Sequence, residues 1–373
     1  MLFDELLRSD LLKLPFNQSK LSTFRNYTNS KLEEYLNLLE ELDSEGKIPI
    51  SSINATKINI IRRQTDFVNG LKNSINLYFE GYPEASYTSF KNTIETRMKN
   101  YPSLFEIDQY DNYDDFYRIR VINDNNHLTH ESFFHIPFEQ RGKVTSQRFS
   151  IPGFPSLYLG RTIYICWEEL NRPNINEFHS VRLKLTSPIK YIDLAPPFYE
   201  KNLYQAKYYK YLMSWPLIFL CSIRVKNVKD IFKPEYIIPQ LLLQWIRQNK
   251  EIDGIRYWST HVNQNPINFK GEYYNVVLPV KENKERGLCN SLKEKFEITE
   301  NVSWQLLEFM LGGAEREEAR EEDAILNSKM DYLELIKDIQ YPYSSSAFGK
   351  IEKHLFYLAT KKLKPKSRTF SLK

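Results

Sequence analysis

The sequence predicts an α+β protein in which a mixed β core lies between two helical segments. Three observations support this class. Apolar residues recur at helical spacing as far as about Phe105, short β-branched and aromatic runs begin at Phe116, and a charged helical pattern follows Trp304. The chain of 373 residues is long enough for two or three domains. We place them at residues 1–111, 112–304 and 305–373.

The first segment carries three helical patterns. "SKLEEYLNLLEELDSEG" opens with a capping box, Ser30 and Glu33, and stops at Gly46. "TKINIIRRQTDFVNGLKNSINLYFE" keeps a similar apolar rhythm, and "YPEASYTSFKNTIETRMKN" has Pro83 where a first-turn proline is favoured. These patterns predict a small helical bundle.

The middle segment alternates short strand patterns with one helix. The strand patterns are "FYRIRVI", "PSLYLGR", "SVRLKL", "YIDLA", "FLCSIRV", "GIRYWST" and, as the final strand, "YYNVVLP". Before "GIRYWST", the run "PEYIIPQLLLQWIRQNKEID" predicts a helix that starts at Pro239 and has an apolar face. The third segment, from "AEREEAREEDAILNSKMDYLELIKDI" onward, predicts a helical extension with a solvated face.

Composition and motifs exclude several functional classes. Fifty-one Lys and Arg against 47 Asp and Glu give a net charge of +4, which is too mild to argue for nucleic-acid binding. Three scattered cysteines predict no disulfide framework. The acidic N-terminus does not resemble a signal peptide, and no apolar run is long enough to span a bilayer. We therefore expect a cytoplasmic protein that has no membrane contact.

The common cofactor motifs are also missing. The sequence contains no GxGxxG, GxxxxGK[ST], GxSxG or CxxC. His127, His130 and His135 crowd together in "HLTHESFFH", but their spacing matches no metal-binding motif. We predict a packed or surface histidine cluster and no metal site.

The stretch "QRFSIPGFPSLYLGRTIYICWEEL", from Gln147 to Leu170, can be interpreted in two ways. Arg148 offers a fork of donors for a phosphate or carboxylate, and Tyr158 offers a flat face for stacking. Glu169 follows the apolar run "IYICW", where a carboxylate is only partly solvated and suits a developing cation. The alternative is a hairpin with a surface arginine, followed by a helix that carries acids in its first turn.

The run "FYRIR … FHIPF … QRFSIPGFPSLYLGRTIYICWEEL … YIIPQLLLQWI … DGIRYWST" resembles the RES-domain family. That family is similar in fold to ADP-ribosyltransferases, and its studied members are bacterial toxins that destroy NAD, usually paired with an Xre-type antitoxin. Its pattern of an arginine, a tyrosine ten residues later and a glutamate eleven residues after that matches Arg148, Tyr158 and Glu169. The family's earlier strand arginine matches Arg118, and its serine matches Ser259.

The resemblance covers about half of the chain, from Asn112 to Trp304. Two positions depart from the family pattern: Gln147 stands where glycine is usual, and Ser150 stands where asparagine is usual. The helical segment before the domain resembles the bundle of longer RES proteins and the HEPN class, although the Arg–His nuclease motif of that class is missing.

The resemblance implies an enzyme that takes NAD as its substrate. Glu169 would stabilise the oxocarbenium character of the ribose when the bond to nicotinamide breaks. Tyr158 would stack on nicotinamide or ribose, and Arg148 with Arg118 would hold the pyrophosphate. Ser259 would position groups by hydrogen bonding, because no motif places a histidine to activate it as a nucleophile.

Three functions remain open at the level of sequence. The first is an NAD glycohydrolase or phosphorylase that serves as a toxin or phage-defence effector. The second is ADP-ribosyl transfer to a protein or nucleic acid at the same site. The third is a non-catalytic NAD-binding or regulatory module, which the departures at Gln147 and Ser150 keep open. The expected partners are NAD, an Xre-type antitoxin or other regulatory protein, and a second copy of the chain.

Overall fold

The computed structural model describes residues 11, 14–19, 21–44, 57–100, 107–121, 128–196, 205–262, 271–311, 329–336 and 338–363. These residues form a mixed α+β protein, in which a central mixed sheet is surrounded by helices. His127 and the charged run up to residue 328 lie outside the described residues, as do the predictions that concern them.

The helices are α1 (Phe24–Ser44), α2 (Lys57–Phe79), α3 (Pro83–Asn100), α4 (Ile163–Glu169), α5 (Gln205–Ser222), α6 (Ile237–Gln248), α7 (Asn290–Lys293), α8 (Trp304–Leu311) and α9 (Ala347–Tyr357). The strands are β1 (Ile107–Tyr110), β2 (Asp115–Val121), β3 (Ser156–Gly160), β4 (Phe178–Leu185), β5 (Ile189–Asp193), β6 (Gly254–Trp258), β7 (Tyr274–Pro279), β8 (Phe296–Thr299), β9 (Val302–Ser303), β10 (Tyr332–Ile336), β11 (Ile339–Pro342) and β12 (Thr360–Lys362).

The three predicted N-terminal helices are confirmed, with one corrected boundary. α3 begins at Pro83 as expected. α1 begins at Phe24, six residues before the predicted cap, because the hydroxyl of Thr23 accepts a hydrogen bond from the backbone N–H of Asn26 and takes the capping role. Ser30 therefore lies inside the helix.

The main sheet has the strand order β1-β5-β6-β7-β3-β2-β4-β8-β12, and β9 pairs separately with β4. β5 and β6 are parallel, and the other pairs are antiparallel. Six of the seven predicted strands are confirmed. β7, β3 and β2 lie side by side at the centre, where a strand is least exposed to water.

The predicted strand "FLCSIRV" is wrong, because Phe219, Leu220 and Cys221 belong to α5. The run is buried on all sides, and a fully buried apolar run has no periodicity that separates a strand from a helix. After the helix ends, Ile223 forms only a single parallel bridge to Phe16. The predicted helix "PEYIIPQLLLQWIRQNKEID" is confirmed, but it begins at Ile237, two residues before Pro239.

The chain from β7 onward is more β-rich than its sequence predicts. "YYNVVLP" forms β7, and five further strands follow it. The predicted helix over "DYLELIKDI" is wrong: this stretch forms the β10–β11 hairpin, with Asp338 in the left-handed turn conformation (φ 65°) that aspartate tolerates. α9 is helical as expected, but β12 then pairs with β8 and extends the main sheet.

The sheet separates two apolar layers. On one face of the sheet, the apolar layer contains the N-terminal helices, α5 and α6. On the other face, the apolar layer contains Phe133, Phe134 and Phe138. The N-terminal helices are tied to α5 by hydrogen bonds: Tyr35 Oη donates to the carbonyl of Leu212 at 2.7 Å, and Arg97 Nη2 donates to that of Met213 at 2.8 Å. In the described part of the chain, no helix is both long and apolar enough to cross a membrane.

Candidate functional site

A cavity of about 830 Å³ opens beside the centre of the sheet. Its walls come from β2 and β3, the end of α4, the loop at 144–149, the segment after α5, and the residues that follow β6. Four of the predicted site residues line this cavity: Arg118, Arg148, Tyr158 and Glu169. The fifth, Ser259, is buried directly behind Glu169. The fold therefore brings together residues that are up to 141 positions apart, from Arg118 to Ser259.

Helix α4 carries the glutamate into the cavity. Its first turn is capped twice: the hydroxyl of Thr162 accepts from the N–H of Ile165, and Glu352 of α9 accepts from the N–H of Ile163 at 2.6 Å. The run "IYICW" thus begins a helix, and the acidic pair occupies its last turn rather than a first turn. Gly160, just before this helix, permits the close packing, because a Cβ there would lie 2.6 Å from Cys166 Sγ.

The two neighbouring glutamates have different surroundings. Glu168 is 3% exposed, and Arg172 holds both of its oxygens at 2.9 and 3.0 Å. The side chain of Glu169 is 28% exposed and lines the cavity. The geometry distinguishes the two residues in the same way as the motif spacing does.

The carboxylate of Glu169 is held from one side. Ser259 Oγ donates to its Oε1 at 2.6 Å, and Asn275 Nδ2 donates to the same oxygen at 2.8 Å. The other oxygen, Oε2, lies 3.9 Å from Nε2 of His261, which also lines the cavity. β6 ends at Trp258, so Ser259 and His261 follow the strand, and Ser259 Oγ accepts the N–H of His261 at 3.3 Å.

Arg148 belongs to the loop at 144–149 that lines the cavity. Its Nη1 donates to the carbonyl of Cys221 at 3.2 Å, and its guanidinium lies over the ring of Tyr236. Two contacts shape the loop: Ser150 Oγ accepts the N–H of Gln147 at 2.8 Å and donates to its carbonyl at 3.0 Å. Gln147 and Ser150, the two residues that depart from the RES pattern, are therefore hydrogen-bonded to each other across this turn.

The hydroxyl of Tyr158 makes a contact that the sequence does not predict. Its hydroxyl donates to the carbonyl of Phe149 at 2.5 Å and so holds the loop next to Arg148. Burial raises the pKa of Tyr158, and burial also raises the pKa of the Cys166 thiol to about 12. Both groups stay protonated at neutral pH, so neither supplies a ready base or nucleophile. The stacking role of the Tyr158 ring stays a prediction.

Three arginines line the cavity without a carboxylate partner in the described residues: Arg118, Arg148 and Arg224. Burial, and then the charge of Arg120, lowers the pKa of Arg118 to about 10. Burial and the neighbouring charge of Arg148 lower the pKa of Arg224. A bound anion would relieve the repulsion between Arg148 and Arg224.

The histidines of "HLTHESFFH" that the structure describes do not converge. His135 is buried between the carbonyl of Ile136 and the N–H of Cys289, each at 2.8 Å, and burial lowers its pKa to about 4. His130 lies beside Glu300 instead. Within the ranges given above, no group of three or more His, Cys, Asp or Glu residues is placed to hold a metal ion.

Sequence reasoning did not single out several residues at the site. Asn275 is a single amide inside the apolar run "YYNVVLP", and Arg224 follows the apolar run "PLIFLCSI". A polar side chain in such a run needs a hydrogen-bond partner when it is buried. A lone polar residue in an apolar run is therefore a sequence signal for a buried polar contact. Tyr236, Tyr257 and Thr260 also line the cavity, but nothing in their local sequence distinguishes them.

A search of curated proteins relates the chain to one from Bacillus subtilis (strain 168) that is named "Putative toxin YopC". The two are 35% identical over 316 residues, which cover 79% of this chain and 69% of that protein. No protein-family model matches the chain. No solved structure matches it either.

Proposed function

Because this chain belongs to the family of the Bacillus subtilis "Putative toxin YopC", we propose that it is a toxin that acts by cleaving the nicotinamide–ribose bond of NAD. One observation carries the enzymatic part of this proposal. Glu169 is the one acidic residue among the described lining of the cavity, whose other charged residues are Arg118, Arg148, Arg224 and Lys233. A single carboxylate among several cations suits a substrate that has both a cationic centre and phosphates.

The cations suit the pyrophosphate of a dinucleotide. Arg148 and Arg224 adjoin each other on one side of the cavity, and Arg118 lies on the central strand β2. Guanidinium groups bind phosphate oxygens with paired N–H donors. Since none of the three is neutralised by a carboxylate in the described structure, an entering diphosphate would gain charge-assisted hydrogen bonds that the protein itself does not satisfy.

The carboxylate suits the reacting ribose. As the C1′–N bond breaks, its electron pair leaves with nicotinamide, which becomes neutral, and positive charge develops on the ribose ring. The exposed oxygen of Glu169 would stabilise that charge electrostatically. Water or inorganic phosphate would then add at C1′: water loses a proton and gives ADP-ribose, and phosphate gives ADP-ribose 1-phosphate.

The wall residues suit the flat rings of such a substrate. Tyr158, Tyr236 and Tyr257 line the cavity, and aromatic faces of this kind stack on flat rings. The fold is of the mixed α+β class to which the ADP-ribosyltransferase-like RES domains belong, and the order of Arg118, Arg148, Tyr158, Glu169 and Ser259 supports that assignment as part of the proposal.

A nicotinamide-release assay tests the proposal. We expect the purified protein to release free nicotinamide from NAD, and chromatography of reactions with and without phosphate identifies the second product. Label transferred from NAD to a protein or nucleic acid would instead favour an ADP-ribosyltransferase. NAD binding without any release of nicotinamide would contradict catalysis and leave a binding module.

The toxin role has its own test. Induced expression in a bacterial host should arrest growth while cellular NAD falls, and the Glu169→Gln variant should do neither. Growth arrest with unchanged NAD would separate toxicity from NAD consumption and would refute the proposed mechanism.

A further inference from the structure

Asn275 lies at an unusual position for an amide. All six residues of β7 are buried, and Asn275 is 4% exposed between Tyr274 and a run of apolar residues. A buried amide is costly unless it is hydrogen-bonded. The side-chain NH₂ of Asn275 donates to Oε1 of Glu169 at 2.8 Å, so the partner that satisfies it is the proposed catalytic carboxylate.

The register of the sheet brings these two residues together. Asn275 lies opposite Gly160 of β3 and Tyr257 of β6. Because Gly160 has no side chain, α4 packs against this part of the sheet, with Cys166 at the contact. Glu169 is three residues after Cys166 and shares its face of the helix, so its carboxylate reaches the amide.

Glu169 needs donors from outside its own helix. It is the last residue of α4, and the carbonyl ends of a helix disfavour a negative charge nearby. Ser259 and Asn275 both donate to Oε1, and no hydrogen bond to Oε2 occurs within the described residues. Two donors on one oxygen fix the plane of the carboxylate and leave the second oxygen toward the cavity.

We propose that Asn275 is a positioning residue of this site: with Ser259 it fixes Oε1 of Glu169, so that Oε2 alone faces the substrate. The pair of hydrogen bonds from Ser259 and Asn275 to Oε1 of Glu169 is called the clamp below. The catalytic consequence of the clamp rests on the proposed function, but the clamp itself does not. The residue must be an amide, because an aspartate at this position would place a second carboxylate at the same distance. Two such carboxylates share a proton, and the negative charge needed at the site is lost.

The first test uses the pH profile of nicotinamide release. In Asn275→Asp the shared proton persists to higher pH, so the acidic limb of the kcat profile should move up by about 1 pH unit or more. In Asn275→Ala we expect kcat to fall about 10- to 100-fold with little change in KM. The exposed Asn176→Asp makes the same charge change elsewhere and should leave the acidic limb in place.

The second test does not require activity. The quantity measured is the Tm difference between Asn275→Asp and the wild type at each pH. The variant should fall about 3 °C further below the wild type from pH 5 to pH 8, because both carboxyl groups then ionise side by side. Adding Glu169→Gln should remove this loss, since the new amide can donate to the introduced carboxylate. The ionisable groups near the pair are Cys166, Tyr236, Tyr257 and His261, and they are present in every variant.

The outcomes separate the two proposals. If the wild type releases no nicotinamide, the proposed function fails and the Tm comparison still decides the clamp. If the wild type is active while the acidic limb and the Tm difference stay unmoved in Asn275→Asp, the clamp is refuted. An Asn275→Asp protein that folds at neither pH supports the clamp only if Glu169→Gln restores folding, and refutes it otherwise.

Discussion

Glu168 and Glu169 show how position alone assigns roles to identical side chains. Arg172 neutralises Glu168, and Glu169 faces a cavity whose other described charged groups are cationic. The first residue is paired at the end of α4, and the second is exposed to the cavity.

Exchanging each glutamate for glutamine tests this division. Glu169→Gln should lower nicotinamide release about 100- to 1000-fold, because an amide does not supply the negative charge that faces the developing cation. Glu168→Gln should keep activity and lose at most about 1 kcal/mol of stability, since its partner Arg172 is 47% exposed. Similar losses of activity in the two variants would contradict the assignment.

Two arginines on β2 give a second matched pair. Arg118 lines the cavity, and Arg120 donates to the carbonyl of Ser132 near the surface. Arg118→Ala should weaken NAD binding about 10- to 100-fold, the loss expected for charge-assisted hydrogen bonds. Arg120→Ala should leave binding largely intact, because Arg120 does not line the cavity and its guanidinium is engaged at the carbonyl of Ser132. Calorimetric titration with NAD measures both constants, and equal losses would argue against Arg118 as a phosphate ligand.

At the scale of elements, the first turn of α4 is capped by a residue 189 positions later in the chain. Glu352 of α9 is fully buried, and its Oε1 accepts hydrogen bonds from the N–H of Ile163 and the hydroxyl of Tyr343. Its other oxygen is buried without a hydrogen-bond partner in the described residues. Burial raises the pKa of Glu352 to about 7, although the charge of Lys329 acts in the opposite direction. The C-terminal segment therefore contributes directly to the helix that ends in Glu169.

This raised pKa predicts a pH-dependent stability. The free energy of unfolding that comes from protonated Glu352 is fully present below the unfolded value of 4.5 and is lost as pH rises through about 7. The loss amounts to on the order of 3 kcal/mol. Glu352→Gln keeps the acceptor oxygen without the charge, so its stability should change less than that of the wild type between pH 5 and pH 8.

Urea unfolding at several pH values measures this effect. Glu308→Gln on α8 makes the same chemical change at an exposed site and should reproduce the wild-type pH dependence. A Glu352→Gln protein that shows the full wild-type dependence would place the responsible titration elsewhere.

On the scale of the whole molecule, the N-terminal helices and the sheet share one apolar layer. α5 joins them: it packs in that layer and accepts hydrogen bonds from Tyr35 and Arg97 at Leu212 and Met213. The segment after α5 supplies Arg224 to the cavity. The helical bundle therefore supports one wall of the site from behind.

This arrangement predicts that bundle and sheet unfold together. Tyr35→Phe leaves the buried carbonyl of Leu212 without its donor and should cost about 1 to 3 kcal/mol. Circular dichroism and tryptophan fluorescence should report the same shifted urea midpoint. Tyr82→Phe, whose side chain is exposed, is the control. Two separate transitions, with only the first shifted by Tyr35→Phe, would show that the bundle folds independently.

The sequence by itself determined the α+β class, the N-terminal helices and six strands, and it predicted the set of Arg118, Arg148, Tyr158, Glu169 and Ser259 as a site. The elements rest on local periodicity, and the predicted set rests on motif spacing and on the resemblance to the RES-domain family. Tertiary structure decided that "FLCSIRV" is mostly helix, that the C-terminal segment adds strands, that Asn275 and Arg224 line the cavity, and that Glu352 caps α4. Most of these depend on partners far away in the chain: burial on all sides removes the periodic signal from "FLCSIRV", and the hydrogen bonds of Asn275 and Glu352 join residues 106 and 189 positions apart.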